Sequence, residues 1–203
     1  MKNTISIVYI DDKRDNILSR YIATFSDGEF EFISTEIHFT DKYTNFELLL
    51  EEEALKTSDI VIIDSKLFED GDVTEKFSGE EFKLIYTTAH PYSKIFVITQ
   101  NEGLEKFGTI KKYDTRLSDS KTSTEYYDEV LGEKIKIASD EILQKRRILE
   151  QLKGNSEFYK DSLVVDKIDE LMEGSSSYKD LTDDKIDELI LLIEDTIKPK
   201  LEK

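Results

Sequence analysis

The chain has 203 residues, with 28 Lys and Arg against 45 Asp and Glu, a formal net charge of −17, no cysteine and two histidines. That leaves room for one α/β domain with an appendage or for two small domains, and it excludes a disulfide framework, a thiolate metal site or nucleophile, and a histidine-based zinc centre. The acidic excess runs through both parts, 24 against 15 over residues 1–124 and 21 against 13 over 125–203, which argues against direct nucleic-acid binding and against anionic membranes and leaves protein partners.

The N-terminus, "MKNTISIVYIDD", runs straight into charge and lacks a signal-peptide core. No segment of the chain approaches the roughly 18 apolar residues needed to cross a bilayer, so the expectation is a cytoplasmic protein. "ISIVYI" at 5–10 predicts a first strand that ends in Asp11 and Asp12. Asp15 can cap a helix carrying Ile17, Leu18, Tyr21, Ile22 and Phe25 at helical spacing. "EFEFISTEIHF" predicts a second strand and "YTNFELLLEEEALK" a second helix.

The next stretch, "SDIVIIDSKLF" at 58–68, holds an unbroken Ile/Val run that stops on Asp64. Such a run predicts a strand buried on both faces, inside a parallel sheet. A carboxylate is costly to bury, so Asp64 is expected just past the carboxyl end of that strand. The acidic "EDGDVTEKFSG" predicts a loop, 79–88 a short helix broken at His90-Pro91, "KIFVITQN" a fourth strand ending at Thr99, and "FGTIKKYD" a fifth. The alternation predicts an α/β fold: a flavodoxin-like, doubly wound, parallel five-stranded sheet in the order 2-1-3-4-5 over residues 1–124.

"TRLSDSKTST" at 115–124 predicts a linker. Beyond it, residues 125–203 read as an α-helical bundle extension. A long helix over 125–153 carries Leu131, Ile135, Ala138, Ile142, Lys145, Leu149 and Leu152 in heptad steps, with "KRR" at 145–147 as a solvated face. Amphipathic helices follow near 161–172 and 183–197, sharing the echo "DKIDELM" and "DKIDELI". Two copies are too few for a solenoid. At about 42 Å, the long helix should outrun the sheet, so Ile142, Leu149 and Leu152 should need the two C-terminal helices or a second copy of the chain to bury them. Lys145 in the seam favours a monomer over a homodimer through helix 125–153.

With strand order 2-1-3-4-5, the ends of strands one and three are neighbours at the topological switch point. Asp11, Asp12 and Asp64 then gather there with Thr99 and with Lys111 and Lys112 of strand five. Three carboxylates together repel one another and invite a hard divalent cation; Mg²⁺, with its preference for oxygen ligands and water, is the expected metal.

In these features the sequence resembles the receiver domain of bacterial response regulators: an acidic pair after strand one (Asp11, Asp12), an aspartate after strand three (Asp64), a threonine after strand four (Thr99) and a lysine in strand five (Lys112). "FSGEEFKLI" is similar to the family's glycine-containing start of helix three. The resemblance spans residues 1–114. It implies that Asp64 accepts a phosphoryl group, with Mg²⁺ held by Asp11, Asp12 and Asp64, while Thr99 and Lys112 contact the new phosphate. It also implies a sensor kinase or a complex subunit as protein partner, and output through the helical extension. Strand alternation favours Lys112 over Lys111 as the active lysine.

The sequence also departs from the family. Tyr113 stands where a proline usually follows the lysine, and Thr109 stands where the switch aromatic usually precedes it. The short "NEGLEKFGT" leaves little space for a fourth helix. These departures carry the alternative expectation, a pseudo-receiver that is not phosphorylated and serves as an interaction subunit of a larger signalling or conflict-system complex. Taken singly the residues have plainer readings: helix caps for the first aspartates, a strand-end residue for Thr99, a solvated pair for the lysines. "DIVIID" also resembles the acidic strand of nucleotide hydrolases, but no glycine-rich phosphate loop accompanies it.

Overall fold

The computed structural model describes residues 3–40, 42–43, 45–67, 77–101, 108–115, 121–154 and 163–172. In chain order the strands are β1 (Asn3–Asp11), β2 (Phe30–His38), β3 (Ile60–Asp64), β4 (Lys66–Leu67), β5 (Phe77–Ser78), β6 (Lys94–Thr99) and β7 (Ile110–Lys111). Five of them form one all-parallel sheet, ordered β2-β1-β3-β6-β7. The other two, β4 and β5, pair antiparallel as a separate ribbon. That ribbon corrects the sequence reading, in which no strand falls between Asp64 and the helix at 79. Because it intervenes, the order in chain numbering differs from 2-1-3-4-5. Strands of two residues are too short to show a period; within this pair Leu67 is buried.

Alternation along the central strands loads both faces of the sheet. Ile5, Ile7 and Tyr9 of β1 and Ile60 and Ile62 of β3 enter one core, with Leu18, Tyr21, Ile22, Tyr127, Leu131, Ile135, Ala138 and Ile142 from helices. Val8 and Ile10 of β1 and Val61 and Ile63 of β3 enter the other, with Leu49, Leu55, Phe82 and Tyr86. Each such aliphatic side chain taken out of water stabilises the fold by roughly 1.5–3 kcal/mol before chain entropy is counted. The Ile/Val run of β3 is unbroken because helices cover it on both sides.

The helices are α1 (Asn16–Thr24), α2 (Phe46–Leu50), α3 (Glu53–Lys56), α4 (Gly79–Ala89), α5 (Ser123–Tyr127), α6 (Glu133–Gly154) and α7 (Leu163–Met172), and a π-helical turn (Asp128–Gly132) joins α5 to α6. Asp15 caps α1 as expected: its Oδ1 accepts from the amides of Ile17 and Leu18 at 3.0 and 3.1 Å. The second predicted helix is in fact two short pieces. The break falls at Glu52, whose backbone is extended and whose Oε1 accepts from Lys42 Nζ at 2.5 Å and Tyr43 Oη at 2.9 Å. Binding those partners, within a run of three like charges, outweighs the helical preference of the segment.

The long C-terminal helical path begins at Ser123, not at 125. A capping box opens it, with Thr122 and Glu125 each accepting from the other's backbone amide. The expectation that Ile142 lies beyond the reach of the sheet is corrected. Ile142 sits in the same core as Ile5 and Ile7, and one turn later Arg146 donates to the Thr4 carbonyl at 3.0 Å and to Asp59 at 2.6 Å. The helix therefore lies along the sheet rather than projecting from its end. Lys145 reaches out of the seam to stand 5.6 Å from the Tyr92 ring, an exit open to a long amphipathic side chain. Near the far end α7 is tied on by Lys153 and Asp169, 2.6 Å apart. The helix expected at 183–197 lies outside the described residues, as do 102–107, where a fourth helix is expected to be short. Among the described residues no helix is long and apolar enough to cross a membrane.

Candidate functional site

The register of the parallel strands builds the site. Ile10 of β1 pairs with Ile63 of β3, so Asp11 and Asp64, one residue further along, end level on neighbouring strands. Neighbouring strands run about 4.8 Å apart, which brings two carboxylates face to face. Asp12 follows where the chain leaves the sheet. One oxygen from each of Asp11, Asp12 and Asp64 lies within 4.8 Å of the others.

Lys112 enters from the far side of the sheet, just after β7. Its Nζ stands 2.8 Å from Asp11 Oδ2 and 2.8 Å from Asp64 Oδ1. The lysine side chain is 6 % exposed and the Asp64 side chain 13 %. Thr99, the last residue of β6, lines the same cleft of about 680 Å³ with Asp11, Asp12, Asp64, Lys66 and Lys112. All the residues singled out from the sequence thus meet at one sheet edge, and of the two lysines it is Lys112 that is buried against the carboxylates.

The partners of each carboxylate differ. Asp11 is buried and nearly saturated: Oδ2 accepts from Lys112 and from the Tyr9 hydroxyl, and Oδ1 accepts from the Lys13 amide at 3.0 Å. Asp64 Oδ2 accepts from the Lys66 amide at 3.2 Å. Burial pushes the Asp64 carboxyl up to about 6; the Lys112 ammonium opposes the shift and the Asp11 charge adds to it. Burial alone would lower the Lys112 ammonium, but the two carboxylates outweigh it and hold that group above its ordinary value. Burial, reinforced by Asp11, also holds the Tyr9 hydroxyl well above the ordinary range, so it stays a neutral donor. Tyr9 is a site residue that the sequence reading misses. It lies two residues before Asp11 on the same face of β1, and strand alternation is the signal that points to it.

A glycine fixes the third corner. Gly79 opens α4 directly against the end of β3, its amide donating to the Ser65 carbonyl at 2.9 Å. A Cβ at this position would stand 2.3 Å from the Asp64 carbonyl oxygen and 3.2 Å from Ser65 Cα, and both obstacles are backbone. Glu80 of the same helix accepts from the Ser65 hydroxyl at 2.8 Å. Gly79→Ala should therefore cost about 1–3 kcal/mol in urea unfolding, the range for overpacking a tight contact. Gly154→Ala, whose new methyl meets nothing, should stay at or above wild-type stability. Equal stability for the two variants would refute the close approach of α4 to Asp64.

The donor set suits a small, hard divalent cation. Octahedral Mg²⁺ holds adjacent oxygens about 3 Å apart, so carboxylate oxygens within 4.8 Å of one another would have to draw in around the ion. Asp11 has one acceptor position left beyond its three bonds. No protein-family model and no curated protein matches this chain.

Proposed function

We propose that the chain is a receiver-type signalling protein in which Asp64 accepts a phosphoryl group, and that the helical path from Ser123 onward passes the resulting change to a protein partner. The observation that carries this reading is Lys112 Nζ held at 2.8 Å from both Asp11 and Asp64, in a cleft that Asp12 and Thr99 also line. That arrangement joins an ionisable nucleophile, two further carboxylates and a cationic hydrogen-bond donor.

In the proposed step, a carboxylate oxygen of Asp64 attacks the phosphorus of a phosphodonor. The bond from phosphorus to the leaving group breaks, the leaving group takes the electron pair, and an acyl phosphate forms on Asp64. A Mg²⁺ ion held by Asp11, Asp12 and Asp64 would offset the charge of the attacking and transferring oxygens. Lys112 gives up Asp64 Oδ1 and pairs with a phosphoryl oxygen, keeping its contact with Asp11. Thr99 Oγ1 accepts from the Asn101 amide at 3.1 Å, which leaves its own hydrogen to donate to the phosphoryl group.

A second reading is favoured by one observation. Asp11 already accepts from Tyr9, Lys13 and Lys112, so the chain itself fills three of its four acceptor positions, as suits a pseudo-receiver that serves as a fixed interaction subunit. In either case the exposed surface of the C-terminal helical path is the proposed contact for a protein partner, and the chain is read as a monomer in which α6 and α7 begin a bundle.

Intact-mass measurement after incubation with Mg²⁺ and acetyl phosphate separates the two. The receiver reading expects a single added phosphoryl group, lost in Asp64→Asn and reduced in Asp12→Ala. Labelling that persists in Asp64→Asn moves the acceptor elsewhere; a wild-type chain that never labels leaves the pseudo-receiver.

A further inference from the structure

Lys112 is held in place by its backbone as well as by its ammonium group. The carbonyl before it, of Lys111, accepts from the Tyr126 hydroxyl at 2.9 Å. Its own amide donates to the Thr99 carbonyl at 2.6 Å. The amide after it, of Tyr113, donates to the Tyr127 hydroxyl at 3.1 Å. Two consecutive tyrosines of α5 thus grip the chain on both sides of the lysine. A proline at 113 would have no amide hydrogen for this contact, which gives the departure at that position a physical role.

The grip continues into the π-helical turn. The Tyr126 and Tyr127 rings meet at 5.4 Å, and Tyr127 meets Tyr21 of α1 at 5.2 Å. The Tyr21 hydroxyl donates to Asp128 Oδ1 at 2.9 Å, and a Cβ on Gly132 would come within 2.7 Å of that same hydroxyl. Asp128 and Gly132 are the first and last residues of the π turn. Such turns are rare, interrupt the α-helix for a single turn and mark functional positions in many proteins. That turn stands at the head of α6, joined to the lysine loop through Tyr127 and Tyr21.

We infer that Tyr126 and Tyr127 are positioning residues for Lys112 and that they couple the state of the carboxylate site to the turn at Asp128–Gly132. The inference rests on the receiver-type reading only in taking a change of partner at Lys112 as the event transmitted. Tyr→Phe variants isolate the hydroxyls, because they keep the rings and their packing.

The test is NMR on the full chain without metal. In the wild type the Lys112 ammonium protons should exchange slowly; in Tyr126→Phe/Tyr127→Phe they should exchange about tenfold faster, the effect of losing hydrogen bonds of ordinary strength. Asp64→Asn, which alters one carboxylate partner of Lys112, should shift the amides of residues 126–132, and the two Phe changes should abolish that shift. If the double variant does not fold, Tyr126→Phe alone, at a half-buried ring, carries the same expectations for exchange and shift in smaller measure. Unchanged lysine exchange in the Phe variant, or unmoved amides at 126–132 in Asp64→Asn, overturns the coupling. Neither readout involves phosphoryl transfer, so the coupling and the receiver reading fail separately.

Discussion

Lys112→Met should destabilise the metal-free protein by about 3–5 kcal/mol, the usual cost of removing one member of a buried ion pair. The ammonium group is the only cation within bonding distance of both Asp11 and Asp64 among the described contacts, and methionine preserves the length of the side chain without its charge. Part of the loss is relieved as Asp64, already pushed up to about 6, takes up a proton. Millimolar Mg²⁺ should restore more stability to Lys112→Met than it adds to the wild type, since the variant leaves more carboxylate charge unpaired. At a cation concentration of 100 times Kd the added stability is about 2.7 kcal/mol. Urea unfolding with chelator and with MgCl₂ measures both effects. A variant within 1 kcal/mol of wild type in chelator would show that the ammonium does not offset the cluster.

Asp64→Asn should act in the opposite direction and stabilise the metal-free protein at pH 7.5. The folded-state carboxyl titrates near 6 against about 3.9 in the unfolded chain, and at 1.36 kcal/mol per unit the ionised form costs the fold roughly 3 kcal/mol. The sign follows from proton binding. Between pH 6 and pH 4 the folded state binds the proton that the unfolded state releases, so wild-type stability rises as pH falls through the folded value. Once both states are protonated, below about pH 4, the advantage of Asn disappears. Urea unfolding across pH 4–8 in chelator tests this: a gap between variant and wild type that does not narrow on acidification would remove Asp64 as its source.

Much of the sheet was legible because its strands are local patterns. "ISIVYI", "IVII" and "KIFVIT" are apolar runs whose burial on two faces needs no knowledge of the partner strands. The carboxylates at their ends were legible for the same reason, since a charge that terminates an apolar run must leave the sheet. Other features had no local signature. The ribbon of β4 and β5 rests on the pairs Lys66 with Ser78 and Leu67 with Phe77, and the break at Glu52 rests on Lys42 and Tyr43.

By itself the sequence determined which side chains are apolar and at what spacing, and so the strands, the helices and the ends at which charge collects. The stripe Leu131, Ile135, Ala138 and Ile142 shows the limit of that information: periodicity announces a face to be covered but not whether a sheet, a helix or another chain covers it. Tertiary structure decided that the sheet does. It also decided that Lys112 lies between Asp11 and Asp64, that Tyr9 hydrogen-bonds to Asp11, and that Tyr126 and Tyr127 hold the lysine loop. These are contacts between residues whose nearness depends on register and crossover, and only the folded chain brings those distances down to a hydrogen bond.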